Sequence, residues 1–171
     1  MATAMGALLY FEQHAFQFEN SLVILDVDGT LVPDCGRVAT DAVNGKVLGL
    51  KAKGNEVRLC SNSRRGDYAG RLAALASQLG VGVCPVSFRK PSTLAISGFD
   101  RKGRQLVVVG DKDLTDGLLA RRLGAQFIKV RRKLDPADRP SSRMANLVDI
   151  VFGPIAIYLW DTLRALSPRS W

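Results

Sequence analysis

The chain has 171 residues, 47% of them hydrophobic and 23% charged. That length and balance predict one globular domain with a real core and exclude a disordered chain. The net charge is +8, and the excess lies in residues 86–171, which predicts contact with an anionic surface or substrate. Cys35, Cys60 and Cys84 show no CxxC spacing. They read as reduced thiols of a cytosol-like compartment, and the lone His14 argues against zinc.

Residues 1–20 form a leader with Leu8, Leu9, Phe11, Phe16 and Phe18 as docking side chains. It lacks the basic start of a secretion signal, and its acids argue against a presequence. Leu22 to Leu25 is a short buried strand that ends abruptly at Asp26, with Asp28 two residues on and Gly29 permitting a turn. Two acids at the end of a buried strand are costly unless a cation or a proton transfer uses them. Thr40 caps a helix to about Lys53, with Val43, Val47, Leu48 and Leu50 inward. Glu56 to Cys60 is the second strand, followed by the polar Ser61 and Asn62. Gly66 to Leu79 is a helix with the stripe Tyr68, Leu72, Leu75, Leu79, stopped by Gly80.

Val81 to Val86 reads as a third strand, and Pro91 fits the first turn of a helix over Ser92 to Gly98. Leu106-Val107-Val108-Val109 is a strongly apolar strand that ends in Asp111. Leu114 to Leu123 is helical, and Gln126 to Val130 is the fifth strand. Strands alternating with helices predict an α/β fold with a parallel sheet covered on both faces. Such sheets bind ligands beyond the carboxyl ends of their strands. Arg131-Arg132-Lys133 is a basic cluster, 135–143 a Pro/Ser-rich linker and 144–171 an apolar tail. Within the tail, Gly153-Pro154 interrupts the apolar run, which argues against a membrane span, and Pro154 restarts a helix.

The strand-end residues, in order, are Asp26, Asp28, Ser61, Asn62, Lys90, Asp111 and, one turn on, Asp116. Phosphoryl transfer through a covalent intermediate needs such parts. Asp26 serves as nucleophile and Asp28 as proton carrier; Ser61 and Asn62 bind the phosphoryl group and Lys90 neutralises it. Asp26 and Asp111 offer hard oxygen ligands to Mg²⁺, and Asp116 reaches the metal's water shell or orients Lys90. Each has a bland alternative: a turn at Asp28-Gly29, a helix cap at Ser61-Asn62 or Asp113, a solvated Lys90.

In this order the set resembles the haloacid dehalogenase (HAD) superfamily. Asp26-Val27-Asp28-Gly29-Thr30-Leu31 matches its first motif, Ser61 its second, Lys90 its third, and Gly110-Asp111 with Asp116 its fourth. The resemblance covers about Leu22 to Arg132, within a phosphatase domain placed at 21–134, and implies a Rossmann-like three-layer α/β/α fold, Mg²⁺, and a metal contact from the Asp28 backbone carbonyl. The segments between motifs, 29–60 and 62–89, are too short for a cap domain, so the site should be open. Ser61-Asn62, Lys90-Pro91 and the stretch ending Leu114-Thr115-Asp116 are most similar to subfamily IIIA, the YqeG-like phosphatases, with Gly29 a departure. That likeness implies phosphatidylglycerophosphate as substrate and a cytoplasmic protein peripheral to an anionic membrane. Rival readings are a capless phosphatase of sugar phosphates, phosphoproteins or nucleic-acid 3′-phosphates, or a phospho-accepting module. The apolar tail contacts membrane, partner or its own domain.

Overall fold

The computed structural model describes residues 8–34, 36–62, 67–85, 88–96, 100–101 and 103–166. Cys35, residues 1–7 of the leader and 167–171 of the tail lie outside them, as do the predicted starts or ends at positions 66, 86 and 97–98.

Five short strands form one all-parallel sheet: β1 (Leu22–Leu25), β2 (Glu56–Leu59), β3 (Gly82–Val83), β4 (Leu106–Gly110) and β5 (Gln126–Lys129), in the order β3-β2-β1-β4-β5. β1 is central, pairing Leu25 with Leu59 on one side and Val109 on the other. Because side chains alternate along a strand, Val23, Leu25, Val107 and Val109 enter one core, and Leu22, Ile24, Leu106 and Val108 the other. This is a Rossmann-like α/β fold. Strand order reverses between β1 and β4, so the crevice at their carboxyl ends is where such sheets bind ligands.

α1 (Asp41–Ala52) and α2 (Tyr68–Leu79) cover the first face. Thr40 caps α1 by accepting from the Val43 N–H, and Asp67 caps α2 by accepting from Gly70. Val43, Val47 and Leu50 are buried as expected, but Leu48 is exposed, since it lies off the stripe the other three define. In the leader, Phe11, Phe16 and Phe18 enter the core, with neighbouring ring centroids 5.4 and 5.5 Å apart. Leu8 and Leu9 stay exposed and do not dock as expected. α3 (Leu118–Leu123) and a 3₁₀ turn (Thr93–Ile96) cover the second face. Over the described part of the helix expected there the chain makes this 3₁₀ turn, which follows a cis Lys90-Pro91 bond.

The predicted helix over Leu114 to Leu123 has two parts. A π-helical turn, Asp113–Gly117, precedes α3, with the Gly117 N–H reaching back five residues to the Lys112 carbonyl. At the end of the chain, α4 runs unbroken from Pro140 to Leu166. The stretch read as linker, 135–143, is therefore irregular only to Arg139. Pro140 takes the first helical position, where its missing N–H costs nothing.

Nor does Pro154 interrupt α4, although an interior proline removes one helix bond. Contacts on both sides of it hold one axis. Before it, the buried Asp149 carboxylate accepts from the Asp113 and Leu114 N–H groups at 3.0 and 2.7 Å. After it, Asp161 pairs with Arg121 at 3.0 Å, and Arg122 lies 5.6 Å from the Trp160 ring. Asp149→Ala would orphan two N–H groups at the π turn. It is expected to lower stability by about 1–3 kcal/mol, read by denaturant unfolding.

Candidate active site

β1 delivers Asp26 and β4 delivers Asp111 to the switch point, and the loops after β2 and β3 bring Ser61, Asn62 and Lys90 to the same end of the sheet. Asp26 is 7% exposed and its N–H donates to the Val109 carbonyl, which holds it between the two strands. One carboxylate oxygen accepts from the Lys90 ammonium at 2.5 Å and the other from the Thr30 hydroxyl at 2.9 Å. The same ammonium reaches Asp116 at 2.5 Å. One buried cation thus serves two buried carboxylates.

That sharing explains the electrostatics. Burial opposes ionisation of Asp26, but Lys90, Lys112 and Thr30 outweigh it and hold the carboxyl below its usual range. Burial also opposes the Lys90 charge, yet Asp116 and Asp26 push Lys90 well above its usual value. Asp116 is raised to about 6: burial and the neighbouring Asp26 charge exceed what Lys90 returns.

The π turn and Gly110 give Asp116 this position. A Cβ on Gly110 would lie 2.4 Å from the Asp116 side chain, so the acid can fold across the strand end only over a glycine. Gly29 is constrained in the same way. It sits at φ +92°, and a Cβ there would lie 2.4 Å from the Arg132 guanidinium and 2.7 Å from Asp111.

Asp28 faces a different set. Arg71, buried in α2, grips its two oxygens at 2.8 and 2.9 Å, and the Ser61 hydroxyl donates to it at 2.8 Å. Asn62 uses both ends of its amide on the Lys90 backbone, donating to the carbonyl at 2.8 Å and accepting from the N–H at 2.7 Å. Asn62 thereby positions Lys90, and it also lines the cavity where phosphate binding is expected of it. Arg71 was not anticipated; its signal is a lone arginine beside the apolar stripe of α2.

In the basic cluster 131–133 two of the three side chains are paired within the domain, and Arg131 stays exposed. Arg132 pairs with Asp111 at 2.5 Å and donates to the Ser142 hydroxyl, Lys133 pairs with Glu12, and Arg131 stacks 5.0 Å from the Tyr10 ring. Burying Asp111, and placing it beside Asp26, pushes its carboxyl to about 7.

Asp26, Asp111 and Asp116 each offer an oxygen within 4.8 Å of the others. The second Asp111 oxygen is buried without a hydrogen-bond partner. These three carboxylates pair with two cations, Lys90 and Arg132, which leaves one negative charge and an orphaned hard oxygen. The residues fit a divalent cation of the Mg²⁺ type. Asp116 joins Asp26 and Asp111 in this trio, while the contact expected of Asp28 is through its backbone carbonyl. Thermal unfolding is expected to move upward with Mg²⁺, by about 2.7 kcal/mol at one hundred times Kd, and the shift to vanish in Asp111→Asn.

A cavity of about 360 Å³ opens over these groups. Asp26, Asp28, Ser61, Asn62 and Lys90 line its floor, and Arg89, Lys112, Arg139, Ser141 and Ser142 its wall. Among the described residues no separate cap domain stands over it. Arg139 reaches the wall paired to Asp34 at 2.8 Å, which ties the start of α4 to the loop after β1.

No protein-family model matches the chain, and no curated protein does. Among solved structures, a chain of the "Structure of Pnkp1/Rnl/Hen1 complex" is 16% identical with a TM-score of 0.47, the match covering 75% of this chain and 51% of that one. The chain thus spans about half the length of that solved chain.

Proposed function

We propose that the protein is a Mg²⁺-dependent phosphomonoesterase of the HAD type that works through an aspartyl phosphate. The observation that carries this reading is the Lys90 ammonium shared between Asp26 and Asp116 at the switch point, with Asp28 two residues on in the same cavity. An Asp26 oxygen attacks phosphorus, and the bond from phosphorus to the leaving alkoxide breaks. Asp28 gives that alkoxide its proton. Water then attacks the acyl phosphate while Asp28 takes its proton, releasing phosphate and restoring Asp26. Arg71 and Ser61 hold the Asp28 carboxyl group in place for both proton transfers. Lys90 neutralises charge on the phosphoryl group, and Asn62 keeps Lys90 in place. A bound Mg²⁺, held by Asp26, Asp111 and the Asp28 carbonyl, would supply charge neutralisation to the phosphoryl oxygens.

The open cavity with cationic Arg89 and Lys112 at its wall favours a substrate presented on a surface or carrying further negative charge. Phosphatidylglycerophosphate meets both conditions and is the substrate we propose. A panel of this lipid in vesicles, soluble sugar phosphates and 3′-phosphorylated DNA tests it. Preference for a soluble sugar phosphate or the DNA end would leave the chemistry and overturn the lipid.

A further inference from the structure

α4 carries a second surface that the site does not use. Among its 27 residues only Asp149 and Gly153 are buried. The side against the domain holds Asp149, Gly153, Ile157 and Trp160. The outward side presents Leu147, Val151, Phe152, Ile155, Tyr158 and Leu159, each at least half exposed. No charged residue interrupts that side between Arg143 and Asp161. A patch of this size is unusual on a free soluble surface and marks an interaction site.

We infer that the outward face of α4 is an in-plane docking surface for an anionic lipid bilayer, and that it sets the cavity mouth at headgroup level. Charge identifies the occupant. The apolar face is bracketed by exposed Arg143 at one end and Arg164 at the other, which donate to backbone carbonyls and keep their charge uncancelled there. Arg122 lies beside the helix from α3, while Arg139 and Arg121 are paired to Asp34 and Asp161. Basic ends on an apolar face suit a helix lying in the interface between headgroups and acyl chains. By length and composition α4 could also cross a membrane, contrary to the sequence expectation. Crossing would drag Asp149 and Asp161 from their partners on the π turn and α3 into hydrocarbon, which is unfavourable. Lying flat keeps both.

Position gives the surface its consequence. The cavity wall is built from Arg139, Ser141 and Ser142, and the apolar side begins at Met144, the next turn of the same helix. Asp149 holds α4 to the backbone of the loop between Asp111 and Asp116. A bilayer on the outward face therefore meets the cavity entrance through one rigid element. Docking stands independently of the phosphomonoesterase reading, which decides only what enters the cavity.

The test is sedimentation of the full chain with vesicles of phosphatidylglycerol and phosphatidylcholine, against phosphatidylcholine alone. The wild type should bind the anionic vesicles preferentially. Phe152→Glu with Ile155→Glu should lose at least about tenfold in vesicle affinity while keeping soluble phosphomonoester turnover. Leu147→Glu with Tyr158→Glu should do the same and guards against a folding defect in the first pair. Unchanged binding in both variants overturns the inference. So does a wild-type dimer that fails to bind vesicles and becomes monomeric in the variants, which would assign the face to a second copy. Binding that resists an alkaline wash would mean a crossing helix and overturns the in-plane placement. Asp26→Asn should bind vesicles as the wild type does. Binding without turnover in the wild type would sink the catalytic reading and leave docking intact.

Discussion

Asp26→Asn is expected to remove turnover of a generic phosphomonoester by on the order of 10⁴-fold or more, since in the proposed mechanism Asp26 takes the phosphoryl group. The substitution keeps the shape of the side chain, and the new amide oxygen would still accept from Lys90 or Thr30, the two donors around Asp26. Lys90 also keeps Asp116. Melting should therefore change little while activity disappears, and that split separates a nucleophile from a structural acid. Acid-quenched protein incubated with a labelled substrate should carry phosphate in the wild type and none in the variant. Retained turnover would falsify the nucleophile assignment.

Lys90→Met should have the largest effect on stability. The ammonium is 1% exposed at its side chain and lies 2.5 Å from each of two buried carboxylates. Removing it leaves both acids without their cation, a loss of about 3–5 kcal/mol. A domain of this size has only about 5–15 kcal/mol in all. Urea unfolding should show the drop directly. Adding Asp116→Asn to Lys90→Met should recover part of it, because one of the stranded charges is gone; additive losses would mean that the two side chains do not interact. Phosphomonoester turnover should fall with Lys90→Met even where the protein is folded.

Much of the site was legible because of how parallel sheets are built. Asp26 and Asp111 each follow an apolar run too short and too uniform to be anything but a buried strand, and Ser61 follows an alternating run, Glu56 to Cys60, so their place at a strand end follows from the run itself. Lys90 and Asp116 were legible only as members of an ordered set. The hold of Asn62 on the Lys90 backbone was not legible, since a polar residue after a strand does not say which backbone it will meet. The Arg71 grip on Asp28 spans 43 positions, and Arg132 on Asp111 spans 21. Local periodicity contains neither distance. Asp149 left a trace, the one acid inside the apolar stretch from Met144 to Trp160, although its partners are two N–H groups of the π turn.

The sequence by itself determined the strands, their parallel pairing and the acids at their ends, because short apolar runs bounded by turn residues leave few other foldings. Tertiary structure decided what those acids touch. It placed one lysine between two of them, paired Arg132 of the basic cluster with Asp111, and carried α4 straight through Pro154. The reason is the same in each case: a buried charge or a strained helix is settled by the nearest compensating group, and that group comes from a distant part of the chain.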